Sequence, residues 1–236
     1  MNRGKVLIDG DIVAYRSGWS TDNLSPSSAI SKTEELMSFI LDQTTLFPSP
    51  DDYAVFLTGS GNFRYDISKT HVYKGNRVGS KKPVHLPIIR DHLVNKYRAI
   101  ISEGEEADDL IAKEATRHNN NVIVASVDKD MLQIPCWHYN FSKREWKKVS
   151  KWEGLKFFYT QILTGDRGDN IIGLWKVGPV GASKILKPCN TESDLWNACL
   201  RAYDGNKDRV IENARLLWLR KKDNEIWQPP KEEDTQ

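Results

Sequence analysis

Hydrophobic residues in this chain fall into short aliphatic or β-branched runs that alternate with stretches of helical spacing. The runs typical of strands lie at residues 5–9, 53–57, 99–102 and 122–126. Helical periodicity predicts helices over residues 12–19 and 87–97, and a third that opens near Glu106 and ends at His118. This alternation predicts an α/β fold with a mostly parallel central sheet and helices on its faces.

The C-terminal part of the pattern is richer in helices. Strands at residues 138–141 and 145–149 form a predicted β-hairpin, in which we expect Trp137 and Trp146 to cover core. Helices are predicted over residues 155–163, 192–203 and 207–220, and the polar residues 222–236 predict a flexible tail.

One further helix is predicted nearer the N-terminus. Ser31 and Glu34 have the spacing of a capping box after a polar loop at residues 22–28, and the apolar periodicity extends to about residue 46.

Acidic residues cluster where predicted strands end and one helix begins: Asp9, Glu106, Asp108, Asp109, Asp128 and Asp130. Helix capping and the helix dipole are the simpler explanation for Asp9 and for the acids at 105–109. They do not explain Asp128 and Asp130, which follow the predicted strand at 122–126. Carboxylates crowded together repel and raise each other's pKa unless a cation holds them. A cluster of hard oxygen ligands without His or Cys favours Mg²⁺ or Mn²⁺.

Residues 63–98 differ in charge from the rest of the chain. Arg and Lys far outnumber the acids there, and Tyr and Phe lie among them. Glycines and prolines interrupt the middle of the segment, so we predict a mobile basic loop before the helix at 87–97. Basic residues with aromatics suit phosphate contact and base stacking, and the alternative is a solvated lysine-rich loop. The three histidines of the segment follow no common zinc spacing.

A glycine-rich turn after the helix at 155–163 carries Asp166 and Asp169. A helix C-terminus is an unfavourable place for two aspartates, so a bound cation explains them better than capping. Glycines at 173, 178 and 181 then flank a hydrophobic hairpin, and Pro179 suits a first helical turn. This helix–hairpin–helix pattern could hold a DNA phosphate on backbone N–H groups, and the alternative is an αα-hairpin that only packs.

Composition narrows the class of protein but says little about the chemistry that the protein performs. The net charge of +2 is too small to indicate nucleic-acid binding by itself. No apolar run approaches a membrane span, and the N-terminus does not have the pattern of a signal peptide. The three cysteines show no paired zinc spacing, so we expect a reduced, cytoplasmic location.

The motifs LIDGD, FR…YKGNR, EADD, SVDKDMLQ and GDRGDNIIGLWKVGPVGASKIL occur in this order between about residues 5 and 187. In this order they resemble the 5′-nuclease family of flap endonucleases and 5′→3′ exonucleases. The chain is most similar to its small phage-type members and to the nuclease domain of bacterial family A DNA polymerases. The resemblance implies a PIN-like sheet flanked by helices, a basic arch and a C-terminal helix–hairpin–helix subdomain. It also implies hydrolysis of DNA near 5′ ends, flaps or nicks during replication, in a bacterium or a phage-infected cell.

The resemblance also assigns roles to residues. Two divalent ions, Mg²⁺ or Mn²⁺, would be held by Asp9, Glu106, Asp108, Asp109, Asp128, Asp130, Asp166 and Asp169. Lys74 and Arg77 would reach the scissile phosphate. The residues expected to bind DNA are Arg64, Tyr73, Lys81, Lys82, Gly173, Lys176, Gly178, Gly181 and Lys184. A monovalent cation such as K⁺ is expected at the glycine hairpin.

Thr58 departs from the family pattern, because it stands roughly where the family has an acid. One ligand is then missing, and Asp11 is a candidate replacement. Two alternatives remain open: an RNase of the wider PIN-like group acting on RNA–DNA hybrids, and a non-catalytic homologue that binds branched DNA.

We expect a monomer without membrane association. Residues 1–150 would form the nuclease domain, with its basic arch at about 64–90. Residues 151–222 would form the helix–hairpin–helix region, followed by a flexible tail at 223–236.

Overall fold

The computed structural model of the protein describes residues 4–45 and 52–231, which form two compact units. The first contains residues up to 62 together with 80–150, and the second contains residues 63–79 together with those from 151 onward. In chain order the helices are α1 (Gly10–Ser20), α2 (Pro26–Thr44), α3 (Arg64–Ile67), α4 (Leu86–Tyr97), α5 (Ala107–Arg117), α6 (Lys151–Thr164), α7 (Pro179–Leu186), α8 (Glu192–Ala202) and α9 (Lys207–Leu217).

A six-stranded sheet forms the centre of the first unit, in the order β3-β2-β1-β4-β5-β6. Its strands are β1 (Val6–Asp9), β2 (Tyr53–Ser60), β3 (Ile100–Glu103), β4 (Ile123–Ala125), β5 (Trp137–Asn140) and β6 (Glu145–Lys148). All neighbouring pairs are parallel except β5 with β6. The predicted mostly parallel sheet and its hairpin are therefore confirmed, and the carboxyl ends of β1, β2 and β4 lie at one edge.

The core of this unit explains why the short apolar runs become strands. Val6, Leu7 and Ile8 are at most 1% exposed, as expected for a strand that is covered on both faces. Helices α1, α2 and α4 pack on one another and join these strands in one hydrophobic cluster. Helix α5 packs against β1, β2 and β3, which fixes its first turn beside the carboxyl ends of these strands.

Helix α2 begins earlier than predicted. Ser25 caps it through a 3.2 Å hydrogen bond from Ser28 N, and Pro26 takes the first helical position. The predicted capping box at Ser31 and Glu34 is therefore wrong, because a serine followed by proline already supplies a start signal. The loop predicted at 22–28 is correct only as far as Ser25. The predicted end near residue 46 lies outside the described residues.

The β5–β6 hairpin lies at one edge of the sheet and is more exposed than predicted. Trp137 is 46% exposed and Trp146 is 42% exposed, and their ring centroids lie 6.3 Å apart in an edge-to-face pair. The prediction that both tryptophans cover core is confirmed for Trp146, whose ring centroid lies 4.9 Å from that of the buried Tyr139. It is wrong for Trp137, which packs edge-to-face on Trp146 at the side of the sheet where the residues of β6 are all exposed.

The second unit has its own core, which includes the end of the chain as far as it is described. Trp227 is 5% exposed, and its ring lies 5.8 Å from Phe158 and 5.7 Å from Trp196. The flexible tail predicted from residue 222 is therefore wrong up to residue 231, and the last five residues of that prediction lie outside the described part.

Residues 63–79 belong to this second unit rather than to the first. Arg64 is 2% exposed and donates hydrogen bonds of 2.8 Å to the carbonyl oxygens of Leu216 and Trp218. The predicted boundary at residue 150 therefore needs correction, since a segment far away in sequence completes the helical unit. The predicted arch at 64–90 is divided between the units.

Within residues 4–45 and 52–231, no helix is both long and apolar enough to cross a membrane. Cys136, Cys189 and Cys199 are buried free thiols.

The packing of Trp227 gives a test of the second core. Trp227→Ala should lower the free energy of unfolding by about 3 kcal/mol, because a buried aromatic ring is lost from a cluster of rings. Urea unfolding measures this loss. Trp19→Ala is the control, because Trp19 is 47% exposed and its loss should cost less than about 0.5 kcal/mol. Equal, small losses for both variants would contradict the observed packing.

Candidate functional site

Asp9 lies at the junction of β1 and α1 and is 2% exposed. One carboxylate oxygen accepts a 3.1 Å hydrogen bond from Ile12 N and so caps α1, while the other accepts a 2.7 Å bond from the Ser126 hydroxyl. Gly10 allows this turn, because a Cβ there would lie 2.6 Å from the Phe56 carbonyl oxygen. Asp9 is therefore both a cap and a buried charge at the carboxyl edge of the sheet.

The first turn of α5 separates its acids into two groups. Glu106 and Asp109 form a reciprocal capping box, in which Asp109 Oδ2 accepts from Glu106 N at 3.2 Å, and Glu105 pairs with Lys113. Capping therefore accounts for part of this segment, as the alternative explanation expected. Asp108 takes no part in the capping box.

Asp128 lies just beyond β4 and caps a short 3₁₀ helix, Lys129–Gln133, through a 2.9 Å hydrogen bond from Asp130 N. Its own backbone N–H donates to the Ser126 hydroxyl at 3.0 Å. Because Ser126 also donates to Asp9, this one serine fixes the ends of β1 and β4 together. Asp130 lies 3.3 Å from Lys129 Nζ.

The pKa values show that these acids act on one another. Burial raises the pKa of Asp9 from 3.8 to about 7, although hydrogen bonds from Ser126 and Ile12 lower it, and the charges of Asp11 and Asp128 add to the rise. The pKa of Asp108 is raised well above 3.8, first by burial and then by the charges of Asp9, Asp128, Glu106 and Asp109. We call Asp9, Glu106, Asp108, Asp109 and Asp128 the carboxylate cluster.

The carboxylate cluster fits a hard divalent cation by its chemistry. Its side chains offer oxygen donors alone, which suit Mg²⁺ or Mn²⁺. The pKa values of Asp9 and Asp108 are both raised, because burial and neighbouring acids disfavour their negative charge. In residues 4–45 and 52–231, no three His, Cys, Asp or Glu side chains already stand in the arrangement of a metal site. The fit therefore rests on donor type and mutual repulsion, not on a preformed cage.

Thr58 performs a different task from the acid that the family pattern places there. Its hydroxyl accepts a 2.9 Å hydrogen bond from Ala107 N at the start of α5. Asp11 accepts from Thr58 N at 2.9 Å and from Arg90 at 2.7 Å, and Arg90 also donates to the Thr58 carbonyl at 2.6 Å. Asp11 is thus held by a guanidinium, which argues against its replacing the missing acid as a metal ligand.

Asp169 is the centre of a separate polar group in the second unit. It accepts hydrogen bonds from Arg77 at 2.6 Å and from the Tyr73 hydroxyl at 2.7 Å, and Lys74 Nζ lies 3.8 Å away. Asp166 accepts from Gly168 N at 2.7 Å and so shapes the turn. The structure thus places the predicted phosphate-contacting Lys74 and Arg77 beside Asp169.

Two of the predicted DNA-binding side chains are buried. Arg64 holds backbone carbonyls of the second unit, and the Tyr73 ring is 1% exposed. Their prediction as direct DNA contacts is therefore corrected: the interior takes the aromatic ring, and the guanidinium satisfies carbonyl groups at the end of α9. Lys81 and Lys82 are exposed in the first unit.

The glycine hairpin also divides by role. Gly178 is the N-cap of α7, with Pro179 in the first turn as predicted, and a Cβ on Gly178 would meet nothing within 4 Å. Gly181 has comparable room, its nearest atom lying 3.5 Å away. Gly173 differs, because a Cβ there would lie 2.2 Å from the Thr164 carbonyl carbon. Close backbone packing therefore explains the glycine at this position, and its predicted DNA contact stays a prediction.

Trp175 is the surface residue that the sequence analysis missed. It is 86% exposed, and it is followed by Lys176, which has a φ of 61°. Lys176 and Lys184 are exposed as well. The signal available in the sequence was a tryptophan directly before Lys176 in the predicted glycine-flanked hairpin.

Comparison with known proteins identifies the family. Residues 5–167 match the family model described as the 5′-3′ exonuclease, N-terminal resolvase-like domain. The chain therefore belongs to the 5′-3′ exonuclease family, and it is an enzyme of the nuclease class. A 5′-3′ exonuclease of Mycoplasma pneumoniae is 27% identical over 223 residues, which cover 82% of this chain and 75% of that protein. The flap endonuclease Xni of Shewanella woodyi is 34% identical over 146 residues, 56% of this chain and 57% of that protein.

Solved structures show the same fold. The bacteriophage T5 5′-exonuclease with bound zinc superposes with a TM-score of 0.72 at 16% identity, covering 91% of this chain and 89% of that one. The T5 flap endonuclease in complex with DNA and metal ions gives a TM-score of 0.70 at 17% identity, with the same coverage. The predicted fold class is thus confirmed.

The raised pKa values give a pH prediction. An acid whose pKa is higher in the folded than in the unfolded chain binds more protons when folded, so stability falls as pH rises between the two values. For Asp9 this window runs from 3.8 to about 7, and each pKa unit corresponds to roughly 1.4 kcal/mol. In EDTA, the Tm should therefore fall between pH 5 and pH 8, and Mg²⁺ should reduce the fall.

A matched pair of variants sharpens this test. Asp108→Asn should raise the Tm at pH 8 in EDTA and change it little at pH 5, because the amide removes a charge that its neighbours repel. Asp42→Asn is the control, since Asp42 is exposed on α2. Differential scanning calorimetry makes the comparison. A Tm independent of pH in EDTA, or an Asp108→Asn variant no more stable than wild type at pH 8, would show that the acids do not repel as described.

Proposed function

We propose that the protein hydrolyses phosphodiester bonds of DNA at or near 5′ ends, flaps or nicks, with Mg²⁺ or Mn²⁺ as cofactor. The observation that carries this proposal is the carboxylate cluster at the carboxyl edge of the parallel sheet. The structural relatives support it, since one T5 structure contains DNA and metal ions. An anionic phosphodiester repels hydroxide, so a reaction at this edge requires positive charge beside the acids.

The carboxylate cluster would hold the divalent ions, which supply Lewis-acid chemistry to the phosphate and its attacking water. The protein's own contribution is to position the acids before any ion arrives. Ser126 and the start of α5 fix Asp9, Asp128 and Glu106 through hydrogen bonds to the ends of their elements. Asp108 has no such tie within the capping box, so we assign it as a direct ligand.

The polar group around Asp169 supports a second part of the proposal. Lys74 and Arg77 carry the positive charge that a developing phosphate anion would use. Their pairing with Asp169 holds them in place until an anion competes for them. Asp166 and Asp169 remain candidates for the second ion, and Asp130 for the first, on the strength of the family resemblance.

The exposed face of the glycine hairpin would bind the DNA backbone. The open positions at Gly178 and Gly181 let a phosphate approach the N-terminus of α7, where backbone N–H groups and the helix dipole favour an anion. Trp175 and Lys176 precede this end of the helix in sequence, and Lys184 lies in the last turn of α7. A monovalent cation such as K⁺ at the hairpin, and a monomeric enzyme, complete the proposal.

Cleavage assays test the cluster. Asp108→Asn and Asp128→Asn should each lower the rate by at least about 100-fold, because a metal ligand contributes several kcal/mol to the transition state. The substrates are 5′- and 3′-labelled flap, nicked and blunt DNA with Mg²⁺, and product sizes are read directly. Asp42→Asn should cleave like wild type.

The same assay separates the alternatives. Wild-type cleavage rates in both Asp108→Asn and Asp128→Asn would overturn the assignment of the cluster. A wild-type protein that binds branched DNA tightly without turnover in Mg²⁺ or Mn²⁺ would be a non-catalytic homologue. Faster cleavage of RNA–DNA hybrids than of DNA duplexes would favour a primer-removing RNase.

DNA affinity at several salt concentrations tests the hairpin. Lys176→Ala combined with Lys184→Ala should reduce the slope of log K against log salt by about two, since each lysine would neutralise one phosphate. Lys207→Ala, at the start of α9, is the control and should leave the slope unchanged. An unchanged slope in the double variant would remove these lysines from the interface.

A further inference from the structure

A cavity of about 380 Å³ lies in the first unit, between α1, α2 and the turn that joins β5 to β6. Arg16 and Ser17 reach it from α1, roughly two helical turns beyond Asp9. None of the acids of the carboxylate cluster lines this cavity. Its volume lies in the range of about 300–1,000 Å³ that is usual for small-molecule sites.

The charge of the cavity favours an anion. Arg16, Lys32 and Arg144 line it, and the one lining acid, Glu35, is already paired with Lys32 at 2.9 Å. Arg16 donates a 2.8 Å hydrogen bond to the hydroxyl of Ser142. This bond ties α1 to the β5–β6 turn across the cavity and leaves the remaining donors of the guanidinium for a ligand.

Aromatic rings flank these cations. The guanidinium of Arg144 lies 5.0 Å from the ring centre of Phe39, and that of Arg16 lies 6.0 Å from the ring centre of Phe141. All four side chains line the cavity. A planar ring and a planar guanidinium side by side are the surfaces on which nucleobases stack.

Ser17 supplies an observation that packing does not explain. It lines the cavity and is 1% exposed, and within the described part of the chain its hydroxyl has no hydrogen-bond partner. A buried hydroxyl without a partner costs about 1–3 kcal/mol. A ligand with an acceptor oxygen would remove that cost.

Arg144 adds a second cost. Its φ of 59° lies in the left-handed region, where an asparagine or glycine would be less strained. Asn140 holds the turn by accepting hydrogen bonds from Ser142 N at 3.1 Å and Lys143 N at 2.9 Å. The turn thus holds Arg144 in a strained backbone conformation, and in this conformation its guanidinium lies over the ring of Phe39.

We propose that this cavity binds a nucleoside phosphate, with the phosphate on Arg16 and Arg144 and the base against Phe39 and Phe141. The ligand is either a free nucleotide or one nucleotide of a single strand, and both present the same chemistry. The proposal concerns binding alone, so it stands apart from the cleavage reaction proposed above.

Calorimetric titration in EDTA tests it, because without divalent ions no cleavage occurs. The protein is titrated with dAMP, with deoxyadenosine, with inorganic phosphate and with a short oligo(dA). We expect dAMP to bind more tightly than either of its fragments. Tighter binding of the oligonucleotide than of dAMP identifies a strand segment as the ligand, and the reverse identifies a free nucleotide.

Variants locate the binding. Arg16→Ala and Arg144→Ala should each weaken dAMP by about 10-fold, since each removes a charge-assisted hydrogen bond. Lys143→Ala is the matched control: it removes a like charge from the same turn but does not line the cavity, and it should leave the affinity within about 2-fold. Circular dichroism checks that each variant is folded.

Ser17→Ala gives an independent reading. It should raise the Tm of the free protein, because the buried hydroxyl without a partner is removed, and it should weaken dAMP. The proposal is overturned if dAMP does not bind, if it binds no better than inorganic phosphate, or if Arg16→Ala and Arg144→Ala leave its affinity unchanged.

Discussion

Crowded carboxylates that repel one another are the constraint on which the first unit depends. Asp9, Asp108 and Asp128 come from three different elements, and the order of the parallel sheet brings the ends of these elements to one edge. Placing anions together away from water raises the free energy of the folded chain unless they bind protons or a cation. Under the proposed function, a divalent ion bound by these acids would lower that free energy at a place that a phosphodiester can reach.

The side chains that cap helices in this fold are also the ones proposed to hold the metal ions. Asp9 caps α1, Glu106 and Asp109 cap α5, and Asp128 caps the 3₁₀ helix. Each cap fixes its carboxylate against a helix start, where the dipole partly offsets the negative charge. Capping and metal binding were alternatives in the sequence, but they are compatible in the structure. Asp108 is outside this capping scheme, so its charge is relieved least.

Much of the fold could be predicted, because short apolar runs bounded by polar residues have few ways to be buried. The start of α2 could not be placed, since Ser25-Pro26 and Ser31-x-x-Glu34 are both valid start signals. The local pattern does not show which of them the core selects. Trp137 was misplaced for a related reason: whether a tryptophan in a hairpin faces core depends on how the hairpin packs at the edge of the sheet.

For the candidate site, residue types predicted the kind of chemistry better than they predicted where each side chain lies. The carboxylates of β1, α5 and β4 came together as expected, because parallel strands share one carboxyl edge. Arg64 and Tyr73 belong to a basic, aromatic segment, but the second core buries both, which only long-range packing decides. Thr58 could be recognised as a departure, whereas its hydrogen bond to Ala107 N became visible only once β2 and α5 were adjacent. Trp175 was missed because periodicity within the hairpin does not show whether its ring is exposed or buried, although its place beside Lys176 was visible.

Proton release on metal binding tests the central claim most directly. Titrating Mn²⁺ into the protein near pH 6.5 in two buffers of different ionisation enthalpy measures the protons displaced per ion. Asp9, whose pKa is raised to about 7, and Asp108, whose pKa is raised well above its usual value, should together release about one proton or more, and Asp108→Asn should release fewer. Binding without proton release, or the same release in wild type and Asp108→Asn, would contradict the account.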